Sequence, residues 1–158
     1  MTTTYAIALG ANRRGPHGGP RRAVIAAAAA LGARALSPIV ASAPLGPSTR
    51  RFANAVALVD SDLAPPAMLA RCKAIERAFG RRRGRRWGAR SLDLDLVLWS
   101  GGMWRSAGLV VPHAAFRHRA FVLEPLAAVA GDWCDPATGL TVRQLRRRLT
   151  RSTRMPRR

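Results

Sequence analysis

The segment SLDLDLVLW, residues 91–99, is the clearest β-strand in this sequence. Side chains on a strand point to opposite faces in turn, so alternating apolar and polar residues predict a strand with one buried face. Leucines at 92, 94 and 96 would then pack into a core. Asp93 and Asp95 would project together from the other face, with their side chains roughly 6–7 Å apart.

A carboxylate pair at this spacing allows two interpretations. Mg²⁺ binds carboxylate oxygens and keeps its remaining positions for water and phosphate, so the pair can hold hard cations. The same alternation is also typical of an ordinary half-buried strand with a polar outer face. Taken alone, the pattern favours this second interpretation.

Arginines just before the strand shift the balance towards phosphate chemistry. Residues 80–88 hold five arginines, three glycines and one tryptophan, a composition that predicts a mobile loop. Guanidinium groups bind phosphate oxygens bidentately, and a loop can close them over a polyphosphate. Two carboxylates for Mg²⁺ beside such arginines fit phosphoryl-type transfer, which depends on positioning and charge neutralisation. The alternative is a solvated face of an arginine-rich protein.

The rest of the chain predicts short strands and helices in irregular alternation. Strands are expected over residues 5–9, 36–42, 52–59 and 109–111, and helices over 21–31, 65–79, 121–129 and 142–149. Pro38 favours an edge position for its strand. This order indicates an α+β sandwich rather than a parallel doubly wound sheet. We expect one domain over residues 1–150 and a basic, disordered tail over 151–158.

Composition limits the classes of partner. Twenty-seven Lys and Arg residues against eight Asp and Glu give a net charge of +19, which attracts polyanions. The sequence shows no signal peptide and no long apolar segment, so we expect a soluble, cytoplasmic protein. We expect Cys72 and Cys134 to be ordinary reduced thiols. A P-loop kinase is excluded because the sequence contains no GxxxxGK[ST] pattern.

A series of motifs gives the sequence a family resemblance. RWGARSLDLD (86–95) resembles the RWGPRTLDLD signature of the 6-hydroxymethyl-7,8-dihydropterin pyrophosphokinase family. In chain order, the other matching segments are ALGAN (8–12), PLGP (44–47), FAN (52–54), IE (75–76), GRRR (80–83), VPH (111–113) and RAFVLEPL (119–126). Each segment is weak alone, but the whole series in this order is specific.

The resemblance implies a fold, a reaction and a set of small-molecule partners. The fold is a ferredoxin-like α+β sandwich with a central, mainly antiparallel sheet and helices packed on it. The reaction moves the pyrophosphoryl group of ATP to the hydroxymethyl oxygen of the dihydropterin, giving the pterin diphosphate and AMP in folate biosynthesis. ATP is the co-substrate, two Mg²⁺ ions are expected, and the enzyme is expected to be a monomer.

The resemblance also implies residue roles on the phosphate side. Asp93 and Asp95 would hold the two Mg²⁺ ions, and Arg81 and Arg90 would contact the pyrophosphoryl group. Trp87 would close over the site with its loop. The remaining residues expected to bind ATP are Lys73, Arg83, Arg86, Val110, His113 and Arg119. Lys73 departs from the family, which often has glutamine at this position.

On the pterin side, Phe52 and Phe121 would stack on the flat ring and Asn54 would bind its edge. Ser42, Ala43 and Leu45 would complete the pocket. Ala43 departs from the family's double proline. Without the resemblance, Phe52 and Phe121 would be assigned to the core and His113 to the surface.

Two other functions remain open at the level of sequence. A small basic nucleic-acid-binding protein would explain the charge and the arginine-rich end, although aromatic residues are few and no recognised motif is present. Binding would then be non-specific and sensitive to salt. A catalytically impaired relative would keep the fold and bind pterin without turnover.

Overall fold

The computed structural model describes residues 1–43, 51–80 and 92–154. In chain order, its elements are β1 (Thr3–Ala11), α1 (Pro20–Ala30), β2 (Ala35–Leu36), β3 (Val40–Ser42), β4 (Phe52–Ser61), α2 (Pro65–Ala78), β5 (Asp93–Trp99), β6 (Trp104–Ser106), β7 (Leu109–Val111), a 3-10 turn (Phe116–His118), α3 (Ala120–Ala130) and α4 (Val142–Arg154).

The main sheet is antiparallel and has β1 and β4 at its centre. β1 lies between β4 and β5, and both β2 and β3 pair with the outer side of β4. β6 and β7 form a separate hairpin. This arrangement confirms the α+β prediction.

Helices cover both faces of the sheet and create two cores. Alternate residues of β1, including Tyr5, Ile7 and Leu9, pack with α1, α2 and the leucines of β5. Ala6 and Val56 point the other way and pack with α3 and α4, around the fully buried Phe116. Each central strand therefore contributes apolar side chains to both layers, as expected for a sheet buried on both faces.

β5 has the predicted alternation, with one irregularity. Leu92, Leu94 and Leu96 are buried, whereas Asp93 is half-buried and Asp95 is exposed. Ala6 pairs with Leu98 and Ile7 with Leu96, so Val97 is an extra residue that forms a β-bulge. Before the bulge, Asp93 and Asp95 share the face of the sheet that α3 and α4 cover.

Several element boundaries differ from the predictions. β1 continues to Ala11, two residues beyond the expected end at residue 9, because Gly10 and Ala11 pair with β4. The strand expected over residues 36–42 is two short edge strands. Between them, the Ser37 hydroxyl accepts the Val56 amide at 2.9 Å, close to Pro38, which lacks an amide of its own.

The C-terminal helix α4 is longer than predicted and is strongly amphipathic. It ends at Arg154, so residues 151–154, which we expected in the tail, are helical. Val142 and Leu145 are buried against α3, and the arginines of α4 are exposed. Among the helices of the described ranges, none has the length and apolar character to cross a bilayer.

Candidate active site

The candidate site is a cleft on the α3 side of the sheet, where small residues leave the central strand uncovered. Ala8 and Gly10 of β1 lie along its floor. Gly10 pairs with Asp93 on one neighbouring strand and with Asn54 on the other. These two polar side chains lie on opposite sides of Gly10, which has no side chain. They are therefore separated by two strand spacings, roughly 10 Å.

One wall of the cleft is the carboxylate pair. Asp93 and Asp95 both line it, with Asp95 opposite Ala8 and Asp93 opposite Gly10. The strand alternation found in the sequence is thus what brings both carboxylates to one surface.

The opposite wall holds an amide and an aromatic ring. Asn54 is 5% exposed, and its Nδ2 donates to Ser42 Oγ at 2.8 Å. Its Oδ1 faces Gly10, since a Cβ added to Gly10 would lie 3.3 Å from that oxygen. Phe52 is half-buried beside it and pairs with Ser42 across β4 and β3. A fixed acceptor and a partly open ring can bind the edge and the face of a flat heterocycle.

The N-terminus of α3 closes the cleft from above. Arg119 is the N-cap residue of this helix, and Phe121 lies in its first turn. Both line the cleft, and the Arg119 guanidinium carbon lies 5.7 Å from the centre of the Phe121 ring. No side chain caps this helix. Its first amides and the Arg119 charge favour an anionic group here.

A second cleft adjoins the first at Asp95. Besides this carboxylate it is lined by three of the predicted nucleotide-binding residues, Lys73 on α2, Val110 on β7 and His113 after it. The backbone amide of His113 donates to the Val97 carbonyl at 3.0 Å, which fixes this segment along the outer edge of β5. Asp95 is therefore common to the two clefts.

A hydrogen bond orients the His113 ring. Its Nδ1 accepts the Ala115 amide at 3.1 Å. An accepting Nδ1 assigns the proton of the neutral ring to Nε2, which can then donate to a ligand such as a phosphate oxygen.

Some predicted site residues are not in either cleft or lie outside the described residues. Ala43 follows β3 and is exposed, and it does not line either cleft. The expected roles that fall outside the described residues are those of Leu45, Arg81, Arg83, Arg86, Trp87 and Arg90.

The donor set fits Mg²⁺ held together with phosphate. No cluster of three or more potential metal-ligating side chains is found within residues 1–43, 51–80 and 92–154. Mg²⁺ does not need such a cluster, because one or two carboxylates plus substrate phosphates and water complete its shell. Asp93 and Asp95 are the residues that would hold it.

The buried thiol on α2 does not compete as a nucleophile. Burial, followed by the nearby Glu76 carboxylate, raises the pKa of Cys72 to about 12. The reactive form of cysteine is the thiolate, so this thiol is inert near neutral pH. Cys134 is exposed, and both cysteines are free, as predicted.

The sequence alone did not indicate the floor of the cleft. Gly10 lies just beyond the strand expected over residues 5–9, and the sequence gives Ala8 and Val122 no individual role, although all three line the cleft. The alternate small residues Ala6, Ala8 and Gly10 were the available signal. Small residues at a period of two on a central strand leave room on one face of a sheet.

Fold and site together define a class: an α+β sandwich domain with a small-molecule cleft that combines paired carboxylates, a buried amide and partly open aromatic rings. The family of this domain follows from a sequence comparison. The chain belongs to the 7,8-dihydro-6-hydroxymethylpterin-pyrophosphokinase (HPPK) family, whose sequence model matches residues 6–131.

Curated relatives carry the corresponding enzyme name. The 2-amino-4-hydroxy-6-hydroxymethyldihydropteridine pyrophosphokinase of Synechocystis is 41% identical over 104 residues, covering 66% of this chain and 53% of that protein. The protein of the same name from Pseudomonas aeruginosa is 48% identical over 99 residues, covering 62% of this chain and 61% of that protein. The chain thus spans between about half and three fifths of these relatives.

Solved structures share the fold. A crystal structure of HPPK-DHPS in complex with substrates superposes with a TM-score of 0.74 and 11% identity, covering 95% of this chain and 44% of that one. Wild-type HPPK-DHPS of Plasmodium falciparum gives a TM-score of 0.71 and 12% identity, covering 94% of this chain and 41% of that one. These structures support the ferredoxin-like sandwich expected from the sequence.

Proposed function

We propose that this protein is an ATP- and Mg²⁺-dependent pyrophosphokinase of folate biosynthesis. It would transfer the pyrophosphoryl group of ATP to the hydroxymethyl oxygen of 6-hydroxymethyl-7,8-dihydropterin. In that step, the pterin oxygen bonds to the β-phosphorus of ATP and the bond from that phosphorus to the α–β bridging oxygen breaks. AMP leaves with the bridging oxygen, and the hydroxyl proton passes to solvent.

The observation that carries the proposal is the position of Asp95. This carboxylate lines both the first cleft, where Asn54 and Phe52 could bind a flat heterocycle, and the second cleft, which Lys73 and His113 line. Phosphoryl transfer requires the acceptor hydroxyl and the phosphate chain to meet at one point. The shared wall at Asp95 is where the two substrates of this reaction would meet.

The first cleft fits a pterin. Asn54 Oδ1 can accept a ring N–H, while Phe52 and Phe121 can contact the ring faces. Burial of Asn54 makes this acceptor costly to leave unpaired, which favours ligands that donate to it. The names of the relatives, which refer to a hydroxymethyldihydropteridine substrate, support this assignment.

The second cleft fits the phosphates of ATP. In this cleft, Lys73 supplies a point charge and the Nε2–H of His113 a hydrogen-bond donor beside Asp95. Arg119 adds a guanidinium fork from the first cleft, which Asp95 also lines. Bound Mg²⁺ would neutralise phosphate charge and lower the pKa of an oxygen that it binds. For Arg81, Arg83, Arg86, Arg90 and Trp87, which lie outside the described residues, the proposal takes the roles that the family resemblance implies.

The test is AMP release from ATP in the presence of Mg²⁺ and 6-hydroxymethyl-7,8-dihydropterin. We expect Asp95→Ala to reduce kcat at least about a hundredfold, because the variant lacks half of the carboxylate pair that would hold the metal. Asp62→Asn is the matched control, since this exposed aspartate follows the end of β4, roughly 20 Å along that strand from the level of Asp95. Equal kcat values for wild type and Asp95→Ala would contradict the proposal.

The same preparation separates the other two functions. Asn54→Ala should weaken pterin binding about tenfold in calorimetry, because it removes the oriented acceptor. Pterin binding without AMP release by the wild type would identify an impaired relative. Absence of both, with tight binding of nucleic acid, would identify a nucleic-acid-binding protein.

A further inference from the structure

Glu76 is a buried carboxylate that lies outside both clefts. It belongs to α2, which packs against β5, and only 2% of its surface is exposed. Its Oε1 accepts the backbone amide of Leu94 at 3.0 Å. Leu94 is the residue between the two aspartates of the carboxylate pair.

This hydrogen bond lies on the outer edge of the sheet. Asp93 pairs with Gly10 and Asp95 with Ala8, so β1 occupies one side of β5. Successive backbone amides on a strand point to alternate sides, and the Leu94 amide points away from β1. The Glu76 carboxylate therefore accepts the hydrogen bond that a backbone carbonyl would accept if another strand were paired with this edge.

Leucine would fill this buried position without the desolvation cost of a carboxylate. It would, however, leave the Leu94 amide without this acceptor. A charged acceptor forms a stronger hydrogen bond with an amide than a neutral one does. The bond holds the backbone at Leu94, the residue between the two aspartates.

We propose that Glu76 is a positioning residue, whose carboxylate holds the Leu94 amide so that Asp93 and Asp95 present their oxygens to the same divalent cations. The inference rests on the proposed function of the carboxylate pair. It adds a residue on the opposite side of β5 that sets the geometry of the pair without touching substrate.

The experiment compares Glu76→Leu with Glu76→Gln in the full chain. Glutamine keeps an acceptor oxygen at the same reach, whereas leucine removes it. The probe is Mn²⁺, titrated by calorimetry in the presence of α,β-methylene ATP, with pterin affinity measured in parallel. We expect Glu76→Leu to weaken Mn²⁺ binding about tenfold and to leave pterin affinity within about twofold. Glu76→Gln should recover most of the Mn²⁺ affinity.

A stability control separates positioning from general loosening of the core. Met68→Ala removes a fully buried side chain from the same helix, and Met68 does not line either cleft. It should destabilise the protein while leaving Mn²⁺ affinity near that of wild type. Exchange of the Leu94 amide, followed by NMR, should be faster in Glu76→Leu and unchanged in Met68→Ala. Should Glu76→Leu fail to fold, Glu76→Asp, with its shorter reach, replaces it.

The outcomes distinguish this inference from the proposed function. If the wild-type enzyme is active and a folded Glu76→Leu variant binds Mn²⁺ as tightly as wild type does, only the proposed role of Glu76 is overturned. Equal losses of Mn²⁺ affinity in Glu76→Leu and Met68→Ala would also overturn it. A wild type that binds neither Mn²⁺ nor the nucleotide analogue would overturn both.

Discussion

At the scale of single residues, the site depends on the absence of a side chain at Gly10. Its backbone lies between Asp93 and Asn54 in the sheet, and any side chain there would enter the cleft. A glycine inside a strand usually costs stability, because it has no side chain to pack. Its presence on the central strand is consistent with close approach of a ligand to the backbone.

Gly10→Ala should therefore impair ligand binding more than folding. The added Cβ would lie 3.3 Å from Asn54 Oδ1 and 3.8 Å from a ring carbon of Phe52. Because both groups are proposed to contact the pterin, we expect calorimetry to show about a tenfold loss of pterin affinity. Gly19→Ala is the matched control, since an added Cβ there meets nothing within 4 Å. Unchanged pterin affinity in Gly10→Ala would place the ring elsewhere.

At the scale of elements, the start of α3 is held by a buried ion pair. Asp135 is completely buried and binds Arg117 of the 3-10 turn at 2.6 and 2.8 Å. It also accepts hydrogen bonds from Thr138 and the Ala137 amide. The turn leads directly into Arg119 and Phe121, so the network supports the roof of the cleft.

Asp135→Asn should destabilise the protein by about 3 kcal/mol, because it leaves Arg117 without its charged partner. The free energy of unfolding at pH 7, measured in urea, tests this value. Glu124→Gln is the control, since Glu124 and Arg146 form a largely exposed pair. Loss of an exposed pair should cost less than about 1 kcal/mol. Similar costs for both variants would contradict a structural role for the buried network.

The same network predicts a loss of stability in acid. Burial would raise the pKa of Asp135, but the hydrogen bonds from Arg117, Thr138 and Ala137 outweigh burial and hold the pKa below its ordinary value of 3.8. A folded-state pKa below the unfolded value gives stability that is present above that pH and lost as pH falls. Wild type should therefore lose more unfolding free energy than Asp135→Asn between pH 5 and pH 2.

At the scale of the whole molecule, charge is the dominant property. The net charge is +19, and Arg147, Arg148, Arg151 and Arg154 are exposed along α4. The apolar residues of this helix face the core, so its outer surface offers cations rather than apolar side chains. We expect such a surface to attract nucleic acid through its phosphates, without reading sequence.

Any nucleic-acid binding should therefore weaken strongly with added salt, whereas pterin binding should persist. Raising salt from 50 to 200 mM should weaken binding of a DNA oligonucleotide by a factor on the order of 100, measured by fluorescence anisotropy. The triple variant Arg147→Gln, Arg148→Gln and Arg151→Gln should bind with a shallower salt dependence than wild type. Pterin affinity should be unaffected, because the proposed contacts are neutral. Sequence-specific binding that survives high salt would favour the nucleic-acid function instead.

Local patterns in the sequence were sufficient for several conclusions. Alternation over residues 91–99 predicted the strand, its buried leucines and the shared face of Asp93 and Asp95, because side-chain direction on a strand is a local property. The ordered motifs predicted the family, which the match over residues 6–131 confirms. The short strand β6 and the helical residues 151–154 were missed, since such ends depend on packing.

Only the tertiary structure decided how the cleft is built. Gly10 meets Asn54 and Asp93 through pairings between strands far apart in the chain, and the register of such pairings is set by the two packed faces of the sheet. The placement of Glu76 behind Leu94 likewise depends on how α2 packs against β5. The sequence by itself therefore determined which groups face together on one strand. The meeting of groups from different strands and helices arose from packing, because contacts between distant segments leave no local pattern in the chain.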